Sequence, residues 1–261
     1  MATVRLTLKG APENISLRSF ADALTHSVEI LEDLDLAISH EAKGSLEWVV
    51  TQLATGSLSV TLESRSRLTA QNFGPDTANA FVTGLDKIET EGASPPYLSE
   101  YGIKKARSLA ALIGKDGVAG INVTDLRQTA ELSPVAVENA RKLIQIKTSA
   151  IGSVEGTIET LSIHGKARFV IYHLRTRKAI TCQFDREKWF EKTRDMMGKR
   201  VTVHGLVHYN IKGEPQRIEI EDMRLARDSR EVPTIEELSG SDPNFTGGLS
   251  TEEYIRQIRN G

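Results

Sequence analysis

Hydrophobic and polar residues recur with two different periods along the first part of the chain, and these periods predict its elements. Residues 4–8 (VRLTL) alternate as a strand does. Between Leu17 and His40 the apolar residues return at three- and four-residue steps, which is typical of a helix that buries one face. We therefore predict a strand followed by a long helix, with Asn14 or Ser16 as the N-cap of the helix.

The same mixture of patterns continues as far as residue 146. An alternating pair of segments predicts a hairpin, and two stretches with helical spacing follow it. Ser133-Pro134 predicts the start of a further helix, because serine is a good N-cap and proline suits the first helical position. The remaining segments are a hairpin at 46–53 and 58–64, helices at 76–91 and 99–113, and a short strand at 121–126.

Strand-like alternation becomes dominant near residue 151. Three alternating segments come first, then a helix that begins after Asp185, and then two more alternating segments around a turn at 210–213. Gly205 lies inside the fourth of these segments and predicts a bulge or a sharp coil there. The predicted strands are 154–163, 167–175, 179–184, 200–208 and 216–223.

This order of three strands, a helix and a two-stranded hairpin resembles the OB superfold over residues 151–226. The resemblance implies a closed five-stranded barrel that binds single-stranded nucleic acid or oligosaccharide on the face of its second and third strands. Basic residues on that face can neutralise phosphates, and an aromatic ring can stack on a base. The candidates are Lys166, Arg168, Tyr172, His173, Arg175, Arg177 and Lys178.

Charge is distributed unevenly, although the whole chain has a formal net charge of −2. Residues 164–217 contain 13 Lys and Arg against 5 Asp and Glu, whereas residues 218–261 contain 5 against 10. A basic middle between acidic ends is compatible with nucleic-acid binding. The alternatives are a solvated basic face, or contact with the acidic tail or a partner.

The last segment, 227–261, has the composition of a chain that does not fold alone, because it is rich in charge, glycine and serine. Near its end, Ser250 and Glu253 have the spacing of a capping box, and Leu249 and Tyr254 that of a hydrophobic staple. A helix of about two turns is marginal in water without a surface to cover. We therefore predict either a terminal helix docked on its own domain or a partner-binding arm.

The run at 249–259 (LSTEEYIRQIR) resembles the C-terminal inhibitory segment of VapB-type antitoxins, which neutralise PIN-domain ribonucleases. In that family an arm and a short helix lie in a groove of the nuclease, and a basic side chain enters its Mg-binding carboxylate cluster. The resemblance implies that Arg256 or Arg259 takes this role, since a guanidinium pairs well with carboxylates. The implied groove contacts are Leu238, Phe245, Leu249, Tyr254, Ile255 and Ile258.

The rest of the chain departs from that family, whose members are usually small and carry a DNA-binding domain in front of the arm. No nucleophile–base pair, metal-ligand cluster or cofactor loop is visible in the sequence, so we expect no catalysis, no metal and no cofactor. The single cysteine, Cys182, fits a reducing cytoplasm. No apolar run reaches membrane length and no signal peptide is recognisable, so a cytoplasmic location is expected.

These observations predict an α+β protein with three parts: an α/β domain at 1–146, an OB-like barrel at 151–226 and a partner-binding arm at 227–261. The leading hypothesis is an antitoxin-like protein whose arm binds and inhibits a PIN-domain toxin nuclease in a hetero-oligomer. The alternative is an adaptor that binds single-stranded nucleic acid through its barrel.

Overall fold

The computed structural model describes residues 2–41, 44–54, 58–67, 71–163, 165–174, 176–226 and 246–260. These residues belong to two compact units, Met1–Leu225 and Ala226–Gly261. The described part of the first unit contains two five-stranded sheets, and that of the second contains one helix. This arrangement confirms a mixed α+β protein. None of the described helices has the length and the apolar character that crossing a membrane requires.

The first sheet is antiparallel throughout, with the strand order β2-β3-β1-β4-β5. Its central strand confirms the predicted alternation, because Val4, Leu6 and Leu8 are all fully buried. The turn predicted at 55–57 lies outside the described residues. The five strands are β1 (Thr3–Lys9), β2 (Leu46–Ala54), β3 (Leu58–Ser66), β4 (Gly120–Thr124) and β5 (Thr129–Leu132).

Four helices contribute to the hydrophobic core of this sheet: α1 (Leu17–Ser39), α2 (Gly74–Thr90), α3 (Glu100–Ala110) and α4 (Pro134–Ile144). Two predicted caps are confirmed. The Ser16 hydroxyl accepts a hydrogen bond from the Ser19 amide, and the Ser133 hydroxyl accepts one from the Val135 amide. Each bond satisfies an amide that the first helical turn leaves without an internal partner.

The second sheet closes into a barrel with the strand order β10-β8-β7-β6-β9. The β9–β10 hairpin closes the ring, and β8 and β10 pair in parallel while the other neighbours are antiparallel. A helix, α5 (Arg186–Asp195), connects β8 to β9, as the sequence predicts. The strands are β6 (Ile146–Ser162), β7 (Arg168–Tyr172), β8 (Ala179–Gln183), β9 (Arg200–Asn210) and β10 (Pro215–Leu225).

The barrel has its own hydrophobic core, which includes Phe169, Cys182 and Ile218. Cys182 is fully buried, and burial raises the pKa of its thiol well above the usual range. The register of β9 with β6 is unbroken through Gly205, so the bulge or coil predicted there does not lie in β9 itself. A Cβ at Gly205 would lie 2.0 Å from the Glu219 carbonyl oxygen, so a glycine permits this close approach of β10. The register shift opposite Gly205 falls in β10, between Ile220 and Asp222.

Several element boundaries differ from the predictions, and one strand was not predicted. Strand β6 begins at Ile146 rather than at the predicted Val154. The sequence pattern does not mark this beginning, because the first residues of the strand are exposed and show no apolar alternation. Strand β7 ends at Tyr172 rather than Arg175, and a tight turn follows in which Arg177 has a φ of 52°. Strand β5 was not predicted, since it has only four residues. The two sheets have separate hydrophobic clusters, but their division into independent domains at 146–151 stays a prediction.

Candidate nucleic-acid interface

One partly buried carboxylate on α1, that of Asp33, lies against the start of α3. Asp33 accepts two hydrogen bonds from Ser99, from the amide at 2.8 Å and from the hydroxyl at 2.5 Å. Burial raises the pKa of Asp33 to about 6, although the two bonds from Ser99 oppose that rise. A Cβ at Gly102 would lie 2.4 Å from the Asp33 carboxylate, so a glycine permits this close approach of α1 and α3.

The position of α3 creates a cleft of about 270 Å³ against the outer face of the barrel. The floor comes from three adjacent strands, since Arg168 pairs with Gln183 across β7 and β8, and Thr181 pairs with Arg217 across β8 and β10. In a barrel of this strand order, the floor therefore includes the second and third strands. The lining residues are Ser99, Glu100, Tyr101, Lys104, Arg168, Val170, Thr181, Gln183 and Arg217.

The charges that line the cleft are mostly positive. Lys104, Arg168 and Arg217 line it together with one carboxylate, that of Glu100, whose side chain is 9% exposed. The Glu100 carboxylate lies 2.7 Å from Lys104 Nζ and 2.8 Å from an Arg217 guanidinium nitrogen. The buried Nε of Arg217 has no hydrogen-bond partner among the described residues. Three cations and one carboxylate therefore line the cleft, and this composition suits an anionic group.

An exposed aromatic ring lines the side of this cleft formed by α3. Tyr101 is 45% exposed, and its hydroxyl donates to the Glu29 carboxylate at 2.9 Å. Lys105 Nζ lies 5.0 Å from the centre of the same ring and 2.6 Å from Glu29. These contacts fix the ring at both its face and its hydroxyl, and leave part of it open to solvent.

The predicted basic face divides into an open end and a closed end. At the open end, Lys166 is exposed before β7, and Arg168 is half-buried in the cleft. We call these two residues the open end, and the segment from His173 to Lys178 the closed end. Arg175 belongs to the closed end but lies outside the described residues.

Tyr172 lies between the two ends and is only 1% exposed. Burial raises the pKa of its hydroxyl well above the usual range, and the carboxylates of Asp33 and Glu159 raise it further. A base cannot reach this ring in the structure, which corrects the expectation that Tyr172 stacks on one. The sequence could not show this, because the residues that cover the ring are distant in the chain.

At the closed end, Arg177 contacts a buried carboxylate. Its guanidinium lies 3.6 Å from Glu159, which also lies 3.4 Å from His40 Nδ1 and is 1% exposed. Neither Glu159 oxygen has a hydrogen bond within the described part of the chain. Burial raises the pKa of Glu159 to about 7, against the opposing effect of Arg177. Burial, and then the charge of Arg177, lower the pKa of His40.

Lys178 and His173 are also engaged by neighbouring groups. Lys178 forms an ion pair with Glu214, which also accepts hydrogen bonds from Ser94 at 2.8 Å and Asn210 at 3.1 Å. Burial acts to raise the pKa of Glu214, but these three donors hold it below the usual range. His173 Nδ1 lies 3.1 Å from the Thr176 hydroxyl. The described cations of the closed end, Arg177 and Lys178, thus contact carboxylates of the protein itself.

Several residues of the cleft were missed by sequence reasoning. Tyr101 and Lys104 belong to a helix of the first sheet's core, and no local pattern indicates that α3 lies beside the barrel. The position of Arg217 could have been predicted, because it lies on the predicted strand β10. The parallel pairing of the third and fifth strands places it next to Thr181.

The C-terminal helix, α6 (Thr251–Asn260), begins as the sequence predicts. The Glu253 amide donates to the Ser250 hydroxyl at 3.3 Å, and the Ser250 amide donates to the Glu253 carboxylate at 3.0 Å. These reciprocal bonds confirm the capping box. The Ser250 hydroxyl also donates to the Glu253 carboxylate, and this bond, followed by the one from the Ser250 amide, holds the pKa of Glu253 below its usual range.

The other predicted arm residues have different degrees of exposure. Leu249, Ile255 and Ile258 are 40%, 46% and 65% exposed. Tyr254 is half-buried, and Arg256 and Arg259 are exposed on α6. Leu238 and Phe245 lie outside the described residues.

Across the described ranges, no three His, Cys, Asp or Glu side chains cluster in a way that could hold a metal ion. Comparisons with known proteins give little further information. No known protein family matches the sequence, and no curated protein matches it. Among solved structures, the chain is similar to the S. pombe Stn1–Ten1 complex, with 16% identity and a TM-score of 0.24. That similarity covers 41% of this chain and 70% of the matched chain of the complex.

Proposed function

We propose that this protein binds single-stranded nucleic acid in the cleft between α3 and the barrel. The connectivity supports an OB-type barrel: three strands, a helix and a hairpin, with the third and fifth strands parallel. Barrels of this type bind oligonucleotides on the face of strands two and three, which here are β7 and β8.

The observation that carries the proposal is the convergence of three cations, from α3, β7 and β10, on the cleft that this face helps to form. Lys104, Arg168 and Arg217 line one cleft with a single carboxylate among them, so a phosphate entering it gains charge-assisted hydrogen bonds. The exposed ring of Tyr101 offers a stacking surface. The cleft volume of about 270 Å³ suits one nucleotide unit, and the strand would continue past Lys166.

Fluorescence anisotropy with a labelled oligothymidine tests the proposal. The wild-type chain should bind with an affinity that falls as salt rises, because phosphate contacts release counterions. The double variant Lys104→Ala, Arg168→Ala should bind more weakly and with a shallower salt dependence. Lys115→Ala, an exposed lysine in the loop after α3, is the matched control and should bind as the wild type does. Equal affinity for the double variant and the control would contradict the proposal.

A second candidate function concerns the C-terminal arm. The formed capping box and the exposed Leu249, Ile255 and Ile258 support an arm that covers its apolar side with a partner. In the antitoxin-like hypothesis the partner is a PIN-domain nuclease, and Arg256 or Arg259 pairs with its carboxylates. Co-expression with a PIN-domain protein encoded nearby tests this idea. A chain shortened after Arg227 should neither bind nor inhibit the nuclease. If it still does both, the arm is not the inhibitory segment.

A further inference from the structure

Strand β6 has one long edge without a neighbouring strand. It pairs with β9 from Ile146 to Thr157, but with β7 only from Thr157 to Ser162. Among the described residues, no other strand pairs with β6 over 146–156. A row of backbone donors and acceptors along this edge is therefore available for a further strand.

From Thr148 to Val154 the edge lacks the features that usually prevent strand addition, because the lysine and the register shift lie before this stretch. Proteins protect such edges with charges, prolines or very short strands. From 146 to 154 the only charged side chain is Lys147, and every residue from 146 to 151 is exposed. Ile151, at the centre of the edge, is 60% exposed. By contrast, the part of β10 that extends beyond its pairing with β8 carries charges in Glu221, Asp222 and Arg224.

We propose that this edge pairs antiparallel with the same edge of a second copy of the chain. A two-fold axis at Ile151 sets Ile151 opposite its own equivalent and Ser149 opposite Ser153. The same register sets Lys147 opposite Glu155 of the second copy. The edge is thus complementary to itself in shape, polarity and charge, which is what a closed two-fold interface requires.

Each pair contributes by ordinary cross-strand physics. Opposite charges and apolar pairs across neighbouring strands are favourable, and the pairing removes Ile151 from water. Lys147 lies beside the register shift between Ile146 and Thr148, at the end of the paired segment. Glu155 already accepts a hydrogen bond from Arg200 Nε at 2.6 Å through its Oε1, and no described residue hydrogen-bonds its other oxygen, to which Lys147 would donate.

Sedimentation velocity on the full chain, over roughly a hundredfold range of concentration, tests the proposal by mass action. The wild type should sediment at twice its 28.7-kDa mass. Ile151→Lys sets two lysines opposite each other and should raise the dissociation constant by about tenfold or more. Leu126→Lys is the matched control: Leu126 is 86% exposed, it lies between β4 and β5, and its replacement should leave the dimer intact.

A charge exchange tests the register. Lys147→Glu and Glu155→Lys should each weaken the dimer, and the double variant should restore it because the opposite charges return in exchanged positions. Circular dichroism and thermal melting confirm that each variant is folded. A monomeric wild type, a dimer unaffected by Ile151→Lys, or a double variant that does not recover would each overturn the proposal. Because no residue of this edge lines the cleft, the result is independent of nucleic-acid binding.

Discussion

The open end of the basic face lies at the beginning of β7 and the closed end follows the end of β7, and the two have different surroundings. At the open end, Arg168 lies in a cleft where three cations face one carboxylate. At the closed end, Arg177 contacts the buried Glu159, and Lys178 pairs with Glu214. The closed end has more basic residues in sequence than the open end, yet its described cations face one buried and one partly buried carboxylate of their own. The comparison shows that carboxylates contributed by distant segments change the surroundings of cations that look alike in sequence.

The sharpest test of this difference exchanges one arginine at each end. Arg168→Ala should weaken oligonucleotide binding by roughly ten- to a hundredfold, because charge-assisted bonds to phosphate are lost. Arg177→Ala should leave affinity within about twofold, and should instead lower the melting temperature because Glu159 loses a neighbouring cation. Anisotropy and thermal melting measure the two effects. The idea of two distinct ends fails if both variants lose affinity equally.

A second test uses pH. The folded chain holds the Glu159 proton more tightly than the unfolded chain does, with a pKa of about 7 against an ordinary 4.5. The stability from this group is therefore present below about pH 4.5 and is lost as pH rises through 7. Between pH 5 and pH 8 the wild type should lose on the order of 2 kcal/mol of its free energy of unfolding through this group, and Glu159→Gln should not show that loss.

Thermal melts of the wild type and Glu159→Gln at several pH values check this expectation. Asp33, whose pKa is about 6, should still make both proteins less stable as pH rises to that value. The same pH profile for both proteins would show that Glu159 does not titrate in this range.

A third test acts on the open end alone. Glu100 occupies cationic donors that a phosphate would otherwise use, since it contacts both Lys104 and Arg217. Glu100→Gln should raise oligonucleotide affinity about threefold, because the competing charge is removed. Anisotropy measures the change, and Glu131→Gln, an exposed glutamate on β5, is the control. Weaker binding by Glu100→Gln would mean that this carboxylate supports the site.

The smallest expected effect belongs to Lys178. Its ion pair with Glu214 is half-exposed, so Lys178→Ala should cost about 1 kcal/mol or less of stability and leave affinity unchanged. Chemical denaturation and anisotropy measure the two quantities together. A clear loss of oligonucleotide affinity would show that the closed end belongs to the binding surface.

Much of the fold followed from local patterns, whereas the cleft did not. The caps at Ser16, Ser133 and Asp185 and the strand–helix order of the barrel are signals within a few residues of one another. The burial of Tyr172 and the pairing of Arg177 with Glu159 depend on contacts between segments far apart in the chain. Periodicity shows that a residue lies on an outer face, but it does not show what covers that face.

The single thiol of the chain has a practical consequence. Cys182 is fully buried in the barrel core, and its raised pKa disfavours the reactive thiolate. A thiol reagent should therefore modify the native protein only when the barrel opens, so the labelling rate measures how often the barrel opens. An oligonucleotide or a second copy of the chain that stabilises the closed barrel should lower this labelling rate. The native cysteine thus reports on binding, and no probe has to be introduced.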